Sequence, residues 1–237
     1  MVLGELINLK TQNNWLHDLS QPIASGYGEL PGHPSTILES FQFHETHGRN
    51  NASLTMSIHV GTHVDAPYHF YTDGKTIDRV APEIFCGQAV IVDLVDKVKN
   101  DYAITVVDVK DSLVNIGVTN LEGWRLILHT GWSKHYNTSR YYSHNPHISM
   151  ELAHWLVDSK VPMIGLDFPP DGIGDELVVP APAPVHQILL KGEVCILENL
   201  TALDELPERK VELICLPIKL VGASGGPARA LARARRG

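Results

Sequence analysis

Residues 57 to 70 of the chain read Ser-Ile-His-Val-Gly-Thr-His-Val-Asp-Ala-Pro-Tyr-His-Phe. The odd positions from 59 to 69 carry His, Gly, His, Asp, Pro and His, whereas the even positions carry mostly apolar side chains. Successive side chains of an extended strand point to opposite faces, so this alternation predicts extended backbone with polar chemistry on one face. Val60, Thr62 and Val64 disfavour a helix here, and Pro67 would break one.

The two histidines at positions 59 and 63 require a bend in this extended segment. A straight strand would place them about 13 Å apart. Two ligands of one zinc-sized ion need donor atoms that are only about 2 Å from it. We therefore predict that the chain bends between His59 and His63, and Gly61 is placed to permit the bend.

The residue types in this segment are those of a hydrolytic metal site. Imidazole and carboxylate groups bind Zn²⁺ and also Mn²⁺. Three histidines and an aspartate on one strand face could not be satisfied in an apolar core. We predict that His59, His63 and Asp65 bind one or two divalent ions, Zn or Mn, and that the carboxylate could bridge two. His69 is placed to shuttle a proton beside the metal rather than to bind it.

The composition is that of an ordinary globular protein. The chain has 237 residues, of which 43% are hydrophobic and 19% charged, which suffices for a sizeable core. No repeat or linker divides it, so we predict one domain over residues 1–237. The net charge of −8 disfavours a nucleic-acid partner. Arg229, Arg233, Arg235 and Arg236 are expected to form a solvated basic tail.

The cysteines and the distribution of apolar residues indicate the cellular compartment of the protein. Cys86, Cys195 and Cys215 each lie among apolar residues, which is typical of buried free thiols in a reducing compartment. No basic segment followed by an apolar stretch opens the sequence, and no run of about 18 apolar residues occurs. We therefore expect a cytoplasmic protein without a membrane partner.

Strand-like and helical segments alternate irregularly along the chain. This pattern predicts a single α/β domain, with a mixed sheet, a few flanking helices and a swivelling β/β/α-like architecture. Thr105 and Asp108 form a capping box for the first helix, Ser149 is an N-cap for the second, and Gly192 ends the third. The predicted helices cover residues 105–115, 150–159 and 185–191, and the predicted strands cover 88–95, 124–130, 161–166, 193–197 and 211–220.

The motif His-x-Gly-Thr-His-x-Asp-x-Pro-x-His, at residues 59–69, resembles the signature of the cyclase-like metal-dependent hydrolases, a family of the bacterial kynurenine formamidase and isatin hydrolase type. The resemblance extends over nearly the whole chain. Further matching segments are residues 17–20, 130–132 and 165–167, and His186 followed by residues 198–200.

The resemblance implies the remaining parts of the site. In such enzymes the first two signature histidines and the aspartate bind metal, and a later histidine and glutamate complete a mononuclear or binuclear centre. Carried over by position, His186 and Glu198 join the ligands, and His69 becomes the general acid/base. The resemblance also implies a homodimer or homotetramer.

Three positions depart from the family pattern. His33 stands where the family commonly has an aspartate after Pro-Gly, and Gly226 stands where a serine usually lies in the C-terminal motif. Pro170 replaces a serine that often follows the Asp167 strand. These departures lie at positions that could select the substrate. The resemblance therefore implies the type of reaction more directly than it implies the substrate.

The resulting hypothesis is hydrolysis of a small cyclic or N-acyl amide with an aryl group, such as isatin or N-formylkynurenine. The alternatives are a metal-dependent cyclase or lyase or a lactone hydrolase that uses the same site, and a catalytically silent metal-binding protein. For the aryl pocket the candidates are Phe41, Tyr68, Phe70, Trp132 and Phe168, although aromatic residues at such positions are often core. A group of four histidines, at positions 129, 135, 144 and 147, is expected to lie in a solvated loop.

Overall fold

A computed structural model describes residues 16–172 and 182–234 of the chain. The strands of the described ranges are β1 (His17–Asp18), β2 (Ile37–Gln42), β3 (Asn51–Thr55), β4 (His63–Asp65), β5 (Cys86–Asp93), β6 (Ala103–Ile104), β7 (Arg125–His129), β8 (His147–Ile148), β9 (Met163–Leu166), β10 (Cys195–Glu198), β11 (Lys210–Ile214), β12 (Gly225–Pro227) and β13 (Leu231–Ala234).

Nine of these strands form one mixed sheet in the order β1-β13-β11-β5-β7-β9-β10-β4-β12. Strands β5, β7, β9 and β10 run parallel, and their neighbours on both sides are antiparallel. The sheet curls on itself, because Ser20 after β1 bridges Leu200 after β10. The prediction of a single α/β domain with a mixed sheet is confirmed for the described residues.

The helices of the described ranges are α1 (His44–His47), α2 (Val106–Ile116), α3 (Met150–Asp158) and α4 (Pro184–Lys191). Three of these four helices connect parallel strands of the large sheet, and the short α1 lies between β2 and β3. Thr105 and Asp108 form the predicted capping box of α2, and the Ser149 hydroxyl accepts from Leu152 N at the start of α3. The predicted helices are confirmed to within one residue at most ends, because caps and apolar spacing agree.

Two apolar clusters fill the two sides of the sheet. One packs α2, α3 and α4 against residues such as Leu126, Leu128 and Ile164. The other fills the opposite side with residues such as Val64 and Leu197. The strands that carry the candidate site are therefore anchored by a fully buried face.

The C-terminal quarter differs from the sequence predictions. The strand expected over 211–220 ends at Ile214, since Pro217 has no N–H for a sheet ladder. The expected solvated basic tail is correct only in part: Arg229 is exposed and pairs with Asp18, but Arg233 lies in strand β13 and pairs with Glu212. Arg235 and Arg236 lie outside the described residues.

A hairpin of β2 and β3 stands apart from the large sheet. It exposes the large apolar side chains of Ile37, Leu38, Phe41 and Leu54. All three cysteines are free: Cys195 and Cys215 are buried as expected, and Cys86 is half-buried. In the described ranges, no helix combines the length and the apolar character that a membrane crossing requires.

Candidate metal centre

The signature segment is extended over only part of its length. Strand β4 spans His63–Asp65, and Pro67–His69 forms a 3₁₀ turn. The prediction of extended backbone throughout 57–70 is therefore wrong at both ends. Proline suits the first position of such a turn, because its φ is preset and its missing N–H is not needed there.

The predicted bend is present at Gly61. This residue has φ of +71°, in the left-handed region that glycine adopts readily. The bend brings the ring centroids of His59 and His63 to 5.3 Å. Nδ1 of His63 lies 2.9 Å from the Gly61 carbonyl oxygen, to which it donates. The opposite ring nitrogen, Nε2, is thereby directed at Asp65.

Strand register brings the distal glutamate to the same place. Strand β10 pairs antiparallel with β4, so that Glu198 lies directly opposite His63. Directly opposed residues of an antiparallel pair share one face. On the other side of β4, Gly225 lies opposite Asp65. A Cβ at Gly225 would lie 2.8 Å from Cε1 of His59, so glycine leaves room for the ring.

The carboxylate of Asp65 is the centre of the cluster. Its Oδ1 lies 2.7 Å from Nδ1 of His59 and 3.3 Å from Nε2 of His63. Its Oδ2 lies 3.5 Å from Nε2 of His186, which is itself 2.8 Å from Oε1 of Glu198. Asp65 is 1% exposed. All five predicted ligands therefore meet at one buried position.

The charges of the cluster favour a cation. Burial alone would lower the pKa of His63, but Asp65 and Glu198 raise that pKa to about 9. His186 behaves in the same way: its pKa is raised well above the usual value despite burial, by Asp171, Asp65 and Glu198. The carboxylates thus create a negative field that holds protons on imidazoles, and a bound metal ion would replace those protons.

Two observations indicate that the residues fit a metal ion. Oδ2 of Asp65 is buried and accepts no hydrogen bond from a described residue, although buried carboxylate oxygens normally have partners. In the described ranges, two triads hold their donor atoms within 4.8 Å of one another. They share Asp65: one adds His59 and His69, and the other adds His63 and Glu198. This set of imidazole and carboxylate donors suits a divalent metal ion.

His69 lies beside the cluster at the more open side. Its ring stacks on that of His59, with centroids 4.0 Å apart and an interplanar angle of 23°. Burial lowers its pKa to about 4, with further lowering from His59 and His186 against the opposing charge of Asp65. His69 is therefore neutral at neutral pH, and its imidazole can accept a proton.

Asn199 and Tyr141 support the bend from behind, a contribution that the sequence did not reveal. The amide nitrogen of Asn199 donates to the Gly61 carbonyl oxygen at 2.8 Å. The hydroxyl of Tyr141, which is fully buried, donates to Oδ1 of Asn199 at 2.7 Å. This chain of contacts holds the turn that presents His59 and His63.

We expect Tyr141→Phe to lower the free energy of unfolding by about 1–3 kcal/mol, because Oδ1 of Asn199 is left buried without a donor. Urea denaturation of the two metal-free proteins measures the difference. Tyr71→Phe is the matched control, since its hydroxyl donates to the Gln187 carbonyl oxygen at the surface and should cost much less. Equal losses in both variants would remove the supporting role of Tyr141.

The aromatic candidates divide into core and surface. Phe168 is fully buried and Trp132 is 5% exposed, and both belong to the core beneath α2 and α3. They offer no free face, so a substrate contact by either does not fit the structure. Phe70 is exposed and packs against His69 and His186 at centroid distances of 4.8 and 5.4 Å. Tyr68 and Phe41 are also exposed, and Phe41 lies on the β2–β3 hairpin.

The four histidines between 129 and 147 do not share a solvated loop. His129 ends β7 and is 5% exposed, and His147 begins β8. His144 pairs with Asp101. The intervening segment is packed only in part, because Tyr136 and Tyr141 are buried whereas residues 137–140 between them are exposed.

The departures from the family pattern also have defined surroundings. Nδ1 of His33 is 2.8 Å from the Ser57 hydroxyl. A Cβ at Gly226 would face Ile218 rather than the histidines, so a serine there would not reach them directly. A hydroxyl is instead supplied by Ser224, whose Oγ lies 2.9 Å from Nε2 of His59. Pro170 accepts a backbone hydrogen bond from Ile148.

Known proteins resemble the chain over most of its length. The family model described as Cyclase matches residues 17–170. The kynurenine formamidase of Bacillus cereus is 32% identical over 229 residues, which cover 93% of this chain and 98% of that protein. The structure of isatin hydrolase A from Labrenzia aggregata bound to benzyl benzoate has a TM-score of 0.82 at 24% identity, covering 93% and 94% of the two chains. A potential metal-dependent hydrolase with cyclase activity has a TM-score of 0.70 at 26% identity, covering 94% and 98%.

Proposed function

Because the chain belongs to the cyclase family, we propose that it is a metal-dependent hydrolase that cleaves a C–N bond of a small cyclic or N-acyl amide. The observation that carries this proposal is the Asp65 carboxylate, which is surrounded by three imidazoles and has one oxygen without a hydrogen bond. Such an arrangement is costly in a protein unless a cation completes it.

The ligands that we propose are His59, His63, Asp65, His186 and Glu198, which would hold one or two Zn or Mn ions. When bound, the metal would polarise the substrate carbonyl and lower the pKa of a water molecule toward neutrality. The other face of β4 and β10 is closed to solvent, because Val64 and Leu197 are fully buried beneath the face that carries the ligands. Ligands on paired strands are held more precisely than ligands on a loop.

We assign the proton transfers to His69. Its imidazole is neutral at neutral pH, so it can take a proton from the attacking water and give it to the leaving nitrogen. The leaving group of an amide is a poor one unless its nitrogen is protonated. Stacking on His59 keeps the His69 ring next to the ligands without occupying its lone pair.

The substrates that we propose are N-formylkynurenine and isatin, since the names of the relatives specify a kynurenine formamidase and an isatin hydrolase. Both compounds carry an aryl group beside the amide. Phe70 offers an exposed ring that packs on both His69 and His186, and Tyr68 lies next to it in the 3₁₀ turn. These two side chains are the aromatic surface that we propose for the substrate, with Phe41 as a more distant candidate.

We also propose that the chain acts as a homodimer or homotetramer in the cytoplasm. A two-stranded hairpin with apolar residues exposed on it is marginally stable alone. The exposed side chains of Leu38, Phe41 and Leu54 would be covered by a second copy of the chain. The free thiols of Cys86, Cys195 and Cys215 suit a reducing compartment.

The first experiment is metal content per chain by elemental analysis, on wild type and His63→Ala in parallel. We expect one or two equivalents of Zn or Mn in wild type and a loss in the variant. Turnover of N-formylkynurenine and isatin in oxygen-18-labelled water then separates hydrolysis from a cyclase or lyase reaction, because only hydrolysis places the label in a carboxylate. Absence of stoichiometric metal in wild type after loading would overturn the proposal.

A further inference from the structure

The carboxylate of Asp171 connects the end of strand β9 to helix α4. Its Oδ1 accepts from Val185 N at 2.8 Å, and its Oδ2 accepts from His186 N at 3.3 Å. The same Oδ2 lies 2.5 Å from Nδ1 of His186. Asp171 is 7% exposed. One buried carboxylate therefore accepts hydrogen bonds from the first N–H groups of the helix and also from the imidazole of a candidate ligand.

We propose that Asp171 is a positioning residue that fixes the ring of His186 with Nε2 facing the metal centre. An ionised carboxylate can only accept hydrogen bonds, so the proton of the neutral imidazole must lie on Nδ1. Nε2 then carries the lone pair, and it points at Oε1 of Glu198 (2.8 Å) and Oδ2 of Asp65 (3.5 Å). Histidine ligands in proteins are commonly oriented by a carboxylate in this way.

Asp171 is able to hold the ring because its own backbone is held. The buried amide nitrogen of Asn145 donates to the carbonyl oxygens of Pro169 (3.0 Å) and Asp171 (2.9 Å). Asn145 is 1% exposed. The turn that carries Asp171 is thereby tied to the segment before strand β8, and the carboxylate has little freedom to move away from His186.

Helix α4 needs this carboxylate for a second reason. Its N-cap residue is Ala183, which has no side-chain acceptor for the first N–H groups. Asp171, which is remote from the helix in sequence, accepts hydrogen bonds from these N–H groups and places negative charge at the positive end of the helix. Because its oxygens are occupied by these donors, Asp171 acts through His186 rather than on the substrate. This inference rests on the proposed role of His186 in metal binding.

The test is Asp171→Asn. The amide oxygen can still accept from Val185 N, but the amide nitrogen would donate toward Nδ1 of His186. The imidazole proton would then move to Nε2, the atom that must bind the metal. We expect the affinity of the protein for the metal ion that His186 binds to fall about 10–100-fold. Competition with a chelator, using Zn²⁺ alone, measures this without any substrate.

A spectroscopic measurement distinguishes positioning from general loss of structure. In the zinc-loaded wild type, nitrogen-15 NMR should show His186 protonated at Nδ1 with a strongly downfield proton. That signal should be absent in Asp171→Asn. Ser149→Ala is the matched control, because it removes the cap of helix α3 and none of the hydrogen bonds of His186. It should keep wild-type zinc affinity.

The experiment distinguishes a wrong positioning role for Asp171 from a wrong ligand assignment for His186. If His186→Ala retains the full metal stoichiometry, His186 is not a ligand, and both the ligand assignment and the positioning role are overturned. If His186→Ala loses metal while Asp171→Asn binds Zn²⁺ as tightly as wild type, only the positioning role is overturned. Loss of metal in His186→Ala together with weakened Zn²⁺ binding in Asp171→Asn, with Ser149→Ala unaffected, supports it.

Discussion

The Asp65→Asn protein is expected to lose its metal and, with it, its hydrolytic activity. The Asp65 carboxylate contacts His59 and His63 through one oxygen and faces His186 with the other. The amide keeps the shape of this group but removes its charge and replaces one acceptor with a donor. We expect metal affinity to fall by more than about 100-fold, because even the loss of an outer partner costs about 10–100-fold.

Equilibrium dialysis against Zn²⁺ or Mn²⁺ measures this loss, and amide turnover should fall in parallel. Asp108→Asn is the matched control, since Asp108 is also a buried carboxylate with hydrogen bonds but lies at the start of helix α2. It should destabilise the protein and leave metal content unchanged. If the Asp65→Asn protein binds metal as wild type does, the centre proposed around this carboxylate is wrong.

The side-chain alternation in the signature segment predicted one face of the site well. Val60, Val64 and Ala66 are buried as expected, while His59, His63 and Asp65 converge on the opposite side. The alternation fails beyond Pro67, where the 3₁₀ turn leaves Tyr68 and Phe70 exposed. Period-2 reasoning assumes continuous extended backbone, and a proline at the first position of a turn ends that condition.

The C-terminal strands could not be predicted from side chains. Strand β12 is Gly-Gly-Pro and β13 is Leu-Ala-Arg-Ala, and neither contains the β-branched or aromatic residues that mark strands. Their place in the sheet depends on pairing with strands far away in sequence, which sets His63 opposite Pro227 and Ile214 opposite Leu231. Local propensity carries no information about such pairing.

The roles of His186 and Glu198 could not be predicted from local sequence for the same reason. The residues alone leave His186 as a surface histidine and Glu198 as a strand end, and only the family resemblance pointed to them as ligands. The structure supplies the physical cause, because the pairing of β10 with β4 puts Glu198 opposite His63. Asp171 and Asn199 act through contacts with residues more than a dozen positions away, and no spacing pattern marks such contacts.

The His69→Ala protein is expected to keep its metal and to lose about 10²–10⁴-fold in turnover, which is the usual contribution of a general acid/base. The imidazole stacks on His59 and is neutral at neutral pH, because burial lowers its pKa to about 4. Removing it leaves the contacts of Asp65 with His63 and His186 in place. Steady-state kinetics on an amide substrate and elemental analysis of the same sample are the two measurements.

Two controls make this outcome decisive. His69→Gln keeps a polar side chain of similar reach but cannot titrate, so it should be as slow as His69→Ala. His154→Ala removes an exposed histidine from helix α3 and should leave kinetics and metal content unchanged. Because the donor atom of His69 lies within 4.8 Å of those of His59 and Asp65, metal binding is its competing role. A His69→Ala protein that loses metal along with activity would make His69 a ligand, and the proton transfers would then belong to another group.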